Sequence, residues 1–172
     1  ASGMTGNGIA LFDKNKLTHT LIGNNPQNPQ SMQESYSVLI DEDRSGVIWI
    51  GTIMQGLEKF VRQKQLFKSY KNTLNPSQVM SITGDSSSNI WIGTMNGLDK
   101  LELSTGKYTH YENENNNPNS LSNNQVISLL IDNSGTLWVG TYNGLNKFDI
   151  KNNKFTQYYH SDRDTNSIAD NY

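Results

Sequence analysis

The chain has 172 residues, with 14 Lys and Arg against 16 Asp and Glu, so its formal charge is -2. Without a basic block it lacks the electrostatic footprint of a nucleic-acid binder. Cysteine is absent, which removes disulfides, thiol chemistry and Cys-ligated metals, and no apolar run approaches the roughly 18–20 residues of a membrane-spanning helix.

Residues 1–3, Ala-Ser-Gly, precede Met4 and read as a cloning scar. From there the chain reads as strands. "GNGIALFD" (6–13) and "KLTHTLIG" (16–23) form an outer strand pair, so 4–34 reads as a partial unit and its connection. Complete units follow at 35–77, 78–125 and 126–160, and 161–172 reads as a connection toward a further unit. Each complete unit opens with a run ending in Asp: "YSVLID" (36–41), "MSITGD" (80–85) and "ISLLID" (127–132). Tyr36, Val38 and Ile40, Met80 and Ile82, and Ile127, Leu129 and Ile131 line one face, with Ser37, Ser81 and Ser128 on the other. A period of two is the mark of a strand.

A polar turn leads to "IWIGT" or "LWVGT", apolar on both faces as an interior strand must be. Trp49, Trp91 and Trp138 are 42 and 47 residues apart, within the period of propeller blades. The third strand, "GLEKF", "GLDKL" or "GLNKF", sets its two apolar residues on opposite faces. A fourth strand places an aromatic three before a Tyr, and an Asn-rich connection such as "ENENNNPNSLSNNQ" (112–125) closes the unit. Residues 165–172, "TNSIADNY", resemble 118–125, "PNSLSNNQ", which lead into a first strand. The unit is a four-stranded antiparallel meander, and the predicted fold is an all-β partial β-propeller of about three and a half blades. Its open sheet faces predict self-association or completion by the remainder of a larger propeller.

The core L-W-I-G-T-x-x-G-L-x-K-F-D, closest in "LWVGTYNGLNKFD" (137–149) and "NIWIGTMNGLDKL" (89–101), resembles the two-component regulator propeller repeat. The copy at 47–60 departs from it, with Ile53, Met54 and Gln55 where the others have two residues; Gly84 and Leu101 are further departures. The resemblance implies the sensor portion of a bacterial hybrid histidine kinase or related signalling protein. It places the module on the periplasmic or extracellular side of the membrane, as part of an anchored protein whose membrane contact is made elsewhere. The ligand it implies is an oligosaccharide or another small molecule.

In such a blade the turn between strands two and three shares a face with the inter-blade connection, where a ligand would meet the protein. That face offers Met54, Gln55, Met95, Asn96, Tyr142 and Asn143 as ligand-binding candidates. Tyr142 leads them, because an aromatic face with a hydroxyl suits stacking on a sugar ring. Asn96 and Asn143 are also turn residues tolerant of positive φ. Gly56, Gly97 and Gly144 follow as turn glycines, while Trp49, Trp91, Trp138, Gly51, Gly93 and Gly140 read as blade structure. Asp41, Asp85 and Asp132 open the turn to the second strand, where Asp bonds its own backbone. His19, His110 and His160 lack metal-ligand spacing and read as solvated surface residues. No catalytic residue, metal or cofactor is expected; the alternatives are a glycosidase- or lyase-type propeller enzyme and a protein–protein scaffold.

Overall fold

The structure is a computed structural model and describes residues 8–33, 36–43, 46–54, 56–61, 66–70 and 78–172. The proposed scar at 1–3 lies outside them. All regular structure among the described residues is β. β1 (Ile9–Asp13) and β2 (Thr18–Ile22) pair as a two-stranded sheet. Blade 1 contains β3 (Ser37–Glu42), β4 (Ile48–Thr52), β5 (Leu57–Val61) and β6 (Leu66–Tyr70). Blade 2 contains β7 (Val79–Gly84), β8 (Asn89–Thr94), β9 (Gly97–Glu102) and β10 (Lys107–Tyr111). Blade 3 contains β11 (Val126–Ile131), β12 (Leu137–Thr141), β13 (Gly144–Asp149) and β14 (Lys154–Tyr158). Each blade is a sequential antiparallel meander, the unit of a β-propeller. The chain divides into two compact units, 1–79 and 80–172.

In the first unit, Ile9 of the two-stranded sheet joins Ile48, Ile50, Phe60 and Phe67 of blade 1 around Met32. In the second, Trp91 and Leu98 of blade 2 pack with Val126, Leu137, Val139, Phe148 and Phe155 of blade 3 around Leu121. The Phe148 ring meets Trp91 edge-on at 5.5 Å and Tyr111 at 5.1 Å. Such aromatic pairs add roughly 0.5–1.5 kcal/mol beyond their buried area. The glycine two residues after the tryptophan makes room for the first strand of blade 3, since a Cβ on Gly93 would stand 2.7 Å from Val126 Cγ1. Trp49 and Trp91 are buried as the sequence indicates. Trp138 is half-buried, because no further sheet of the described chain covers its face.

The strict alternation expected of the first strands is broken by a register shift between Ser37 and Leu39 and by another between Val126 and Ser128. The bulge turns Val126, rather than Ile127, into the inter-blade core, while Tyr36 and Ile40 stay exposed. The turn aspartates also need correction in blade 1. Asp85 and Asp132 accept from their turn backbones, at Asn89 N (2.9 Å) and Thr136 N (3.0 Å). In blade 1 the residue in that role is Asp43, accepting from Val47 N at 3.1 Å. Asp41 lies within β3 opposite Trp49, and burial raises its carboxyl above the ordinary carboxylate value.

Two substitutions test this packing. Gly93→Ala forces its new Cβ against Val126 and is expected to cost about 1–3 kcal/mol; Leu121→Ala, at the centre of the same cluster, about 2–5 kcal/mol. Urea unfolding followed by tryptophan fluorescence measures both, and a Leu121→Ala chain as stable as the parent would contradict the packing.

Candidate functional site

The hairpin between the second and third strands is built by a threonine and a glycine. Thr52, Thr94 and Thr141, all buried, donate their hydroxyls across the turn to the carbonyls of Gly56 (2.9 Å), Gly97 (2.9 Å) and Gly144 (2.8 Å). Positive φ falls on Gly97 (+118°) and Gly144 (+104°), and not on the preceding asparagines. That pattern fits a type I-like turn followed by a glycine bulge. Asn96 and Asn143 instead donate their backbone N–H to the same threonine hydroxyls, at 3.1 and 3.2 Å.

In the second unit the candidates meet across the inter-blade connection. Gly97 N donates to Asn124 O at 2.6 Å and Tyr142 N to Gln125 O at 3.0 Å. Two adjacent residues thereby join the turn bearing Met95 and Asn96 to the turn bearing Tyr142 and Asn143. Met54, 77% exposed, sits on the corresponding turn of the first unit; Gln55 lies outside the described residues.

Blade 3 carries more on this rim than its repeats predict. The Tyr142 ring, 41% exposed, meets Tyr172 edge-on at 5.0 Å, and the hydrogen bond with Tyr172 raises the Tyr142 phenol above its ordinary value. Tyr159 packs beside Gly144 and donates its hydroxyl to Gln157 Oε1 at 3.3 Å. Tyr159 and Gln157 wall a groove of about 390 Å³ whose other side is Asn113–Pro118. The Asn115 and Asn116 side chains are exposed at it, and Asn116 holds a φ of +64°. Tyr159 and Tyr172 are not legible as candidates from the repeat, because they stand at positions where the repeats differ. Their signal was departure from the repeat: blade 2 has Glu112 and Gln125 in their places.

The histidines differ from expectation. His19 is exposed, as read. His110 is not simply solvated: its Nδ1 lies 2.7 Å from Oδ1 of the buried Asp99, and its Nε2 lies 3.9 Å from Glu112. At His160, Nδ1 lies 2.8 Å from Ile168 O and Nε2 3.0 Å from Asp162 Oδ1. The Ile168 carbonyl first, then the Asp162 carboxylate, raise its pKa above the ordinary imidazole value. Among the described residues no group of three or more His, Cys, Asp or Glu could hold a metal, and no helix is long and apolar enough to cross a membrane.

Stacked four-stranded meanders with a Trp-Gly core and a polar rim define a β-propeller built from tandem sequence repeats. The two component regulator propeller model matches two of these repeats, at residues 73–96 and 120–143. The fold is similar to the extracellular domain of BT3049 of B. thetaiotaomicron, assigned as a hybrid two component system, at 22% identity and TM-score 0.78, covering 90% of this chain and 21% of that one. It is also similar to the extracellular domain of BT4673 of the same organism, assigned as a one component system, at 22% identity and TM-score 0.75, covering 96% and 22%. Virginiamycin B lyase from Staphylococcus aureus shares the fold at 15% identity and TM-score 0.71, covering 92% and 50%. The chain spans about a fifth of the length of the two extracellular domains. No match is found among the curated proteins.

The raised His160 pKa predicts a pH-dependent loop. A group whose folded pKa is raised contributes stability below its unfolded value, about 6.5, and loses it as pH rises through the folded value. Amide protection factors for residues 160–171 are expected to be higher at pH 5.5 than at pH 8.5. In His160→Ala the difference should vanish; if it persists unchanged, another group sets it.

Proposed function

We propose that this chain is a non-catalytic, ligand-recognising segment of an extracytoplasmic bacterial sensor, and that its ligand is an oligosaccharide held on the rim of blade 3. One observation carries the reading: tyrosines that break the repeat gather on one rim. Tyr142 and Tyr172 pair there, and Tyr159 stands beside an amide-rich groove. Sugar rings present an apolar face to aromatic carbon and hydroxyls to amides, and the rim offers both. The family of the repeats and the extracellular origin of the two similar folds support an outward-facing role. A ligand here would signal only by binding one arrangement of the parent protein better than another.

Titration calorimetry against a panel of oligosaccharides tests the proposal. Binding is expected to weaken roughly tenfold or more on Tyr142→Ala or Tyr159→Ala, a loss of about 1.4 kcal/mol, with the melting temperature little changed. Absence of binding to every glycan, combined with a stable macromolecular partner, would favour the scaffold reading.

A second reading rests on His110. The buried Asp99 fixes its Nδ1, an arrangement that in enzymes orients a general base. Turnover of a substrate by the purified chain, abolished in His110→Ala but retained in Tyr142→Ala, would establish an enzyme instead.

A further inference from the structure

The groove beside blade 3 is lined by residues that depart from the repeat, and one of them carries a charge. Three connections in the chain share a turn in which a serine hydroxyl accepts the backbone N–H of the residue six positions earlier. Ser31 accepts from Asn25 N, Ser120 from Glu114 N and Ser167 from Ser161 N, at 2.9, 3.0 and 2.9 Å. The residue at the head of this turn is thus Asn, Glu or Ser, and only the copy that lines the groove has a carboxylate. Two positions before it, Tyr159 stands where the earlier connections have Gly23 and Glu112.

Both walls of the groove are held in place. On one side Asn117 Nδ2 donates to Glu114 Oε2 at 2.7 Å, and Asn117 is itself anchored, its Oδ1 accepting from Asn119 N at 3.0 Å. Glu114 forms no ion pair among the described residues, and its Oε1 accepts no hydrogen bond from them. On the other side Tyr159 donates its hydroxyl to Gln157 Oε1 at 3.3 Å, while Gln157 Nε2 donates to Ser120 O at 2.9 Å. Gln157 thereby ties the aromatic wall to the loop that carries Glu114, and the two walls frame a space of about 390 Å³. The rest of the lining is asparagine and proline, so none of the described lining residues is basic.

A carboxylate without a counter-ion attracts cations and repels anions, and an aromatic wall adds a favourable surface for an ammonium group. The amides around them serve the hydroxyls of any sugar, as donors and as acceptors. We propose, resting on the reading of this rim as a glycan site, that Glu114 sets the charge selectivity of the groove, which takes an oligosaccharide bearing a protonated amino sugar and excludes uronic and sulfated ones. An ammonium group gives Glu114 Oε1 a charged donor and meets the Tyr159 ring. A carboxylate or sulfate in the same place would lie against Glu114 with no basic residue of the lining to receive it.

Sugars matched in shape and differing in charge test the proposal. Glucosamine, glucose and glucuronate, and the corresponding galactose series, are titrated at about pH 6.5, where an amine of this kind is protonated. Backbone amide shifts of residues 113–117 and of Tyr159, followed by NMR, report on the groove itself. The expected order of affinity is amine, neutral, uronate, with roughly fivefold between successive members, the effect of one exposed charge a few ångströms away. Glu114→Gln, which keeps an oxygen for Asn117, should bring the three within about twofold of one another, and Glu114→Lys should reverse their order. Sugars that move these amides alike, or in an order that Glu114→Gln leaves unchanged, would overturn the charge selectivity while the glycan reading stands. If no sugar of any charge moves them, both fall. N-acetyl-lysinamide binding as tightly as glucosamine, with glucose inert, would assign the groove to a basic peptide and overturn the choice of ligand.

Discussion

The rest of each blade depends on how one indole N–H is satisfied. A tryptophan packed inside a sheet must find an acceptor for its N–H or lose the free energy of a buried unpaired donor. Here Trp49, Trp91 and Trp138 donate to Asp43 Oδ2 (2.8 Å), Asp85 Oδ2 (3.0 Å) and Asp132 Oδ2 (2.9 Å), six residues upstream in each case. The other oxygen of each carboxylate accepts from the backbone of the hairpin turn. One side chain therefore closes the turn, fixes the register of the first two strands and orients the ring against which a neighbour packs. At Asp132 these bonds, led by the Ser134 hydroxyl and then the Trp138 indole, hold the carboxyl well below the usual range. A lysine completes it, with Lys59, Lys100 and Lys147 Nζ at 5.6, 6.0 and 5.9 Å from the three ring centroids.

A second constraint follows from joining blades through polar connections. The variable residue of "GLxKF" is Glu58, Asp99 or Asn146, each almost fully buried. Burying such a group is costly unless its partners are supplied, and Glu58 and Asn146 receive a backbone N–H from an incoming loop. The polar atom fixes where the loop lands, while the apolar residue beside it supplies the burial. Asn146 adds its own donors to Ser122 Oγ and Val139 O, at 2.9 and 3.1 Å, giving the connected polar network that a buried amide requires.

The repeat made the blades legible, and residues that act within one strand were read most securely. The Trp-Gly strand, the glycine turn and the meander all follow from local periodicity and spacing. What stayed hidden depends on partners distant in sequence or on register. Asp41 ends its apolar run as Asp85 and Asp132 end theirs, yet the working carboxylate in blade 1 is Asp43, which only the six-residue spacing to the tryptophan reveals. His110 reads as a surface residue until β9 and β10 pair it with Asp99. The same limitation hid Tyr159 and Tyr172, because a consensus discards the residues that depart from it.

That distinction bears on how such a module would work. In a stack of repeats each blade communicates only with its neighbours, so a rim site must act through a connection shared with the next interface. Residues 160–172 are the connection that leaves blade 3. Tyr172 at its end pairs with Tyr142 on the rim, Asn171 O accepts from Gly144 N at 2.7 Å, and His160 spans the loop to the carbonyl of Ile168. A ligand that ordered Tyr142 and Tyr172 would therefore restrict the same loop that presents Ile168. The repeated residues build the blades, and the exceptions to the repeat, Tyr142 and Tyr172, pair at the turn and the connection of blade 3.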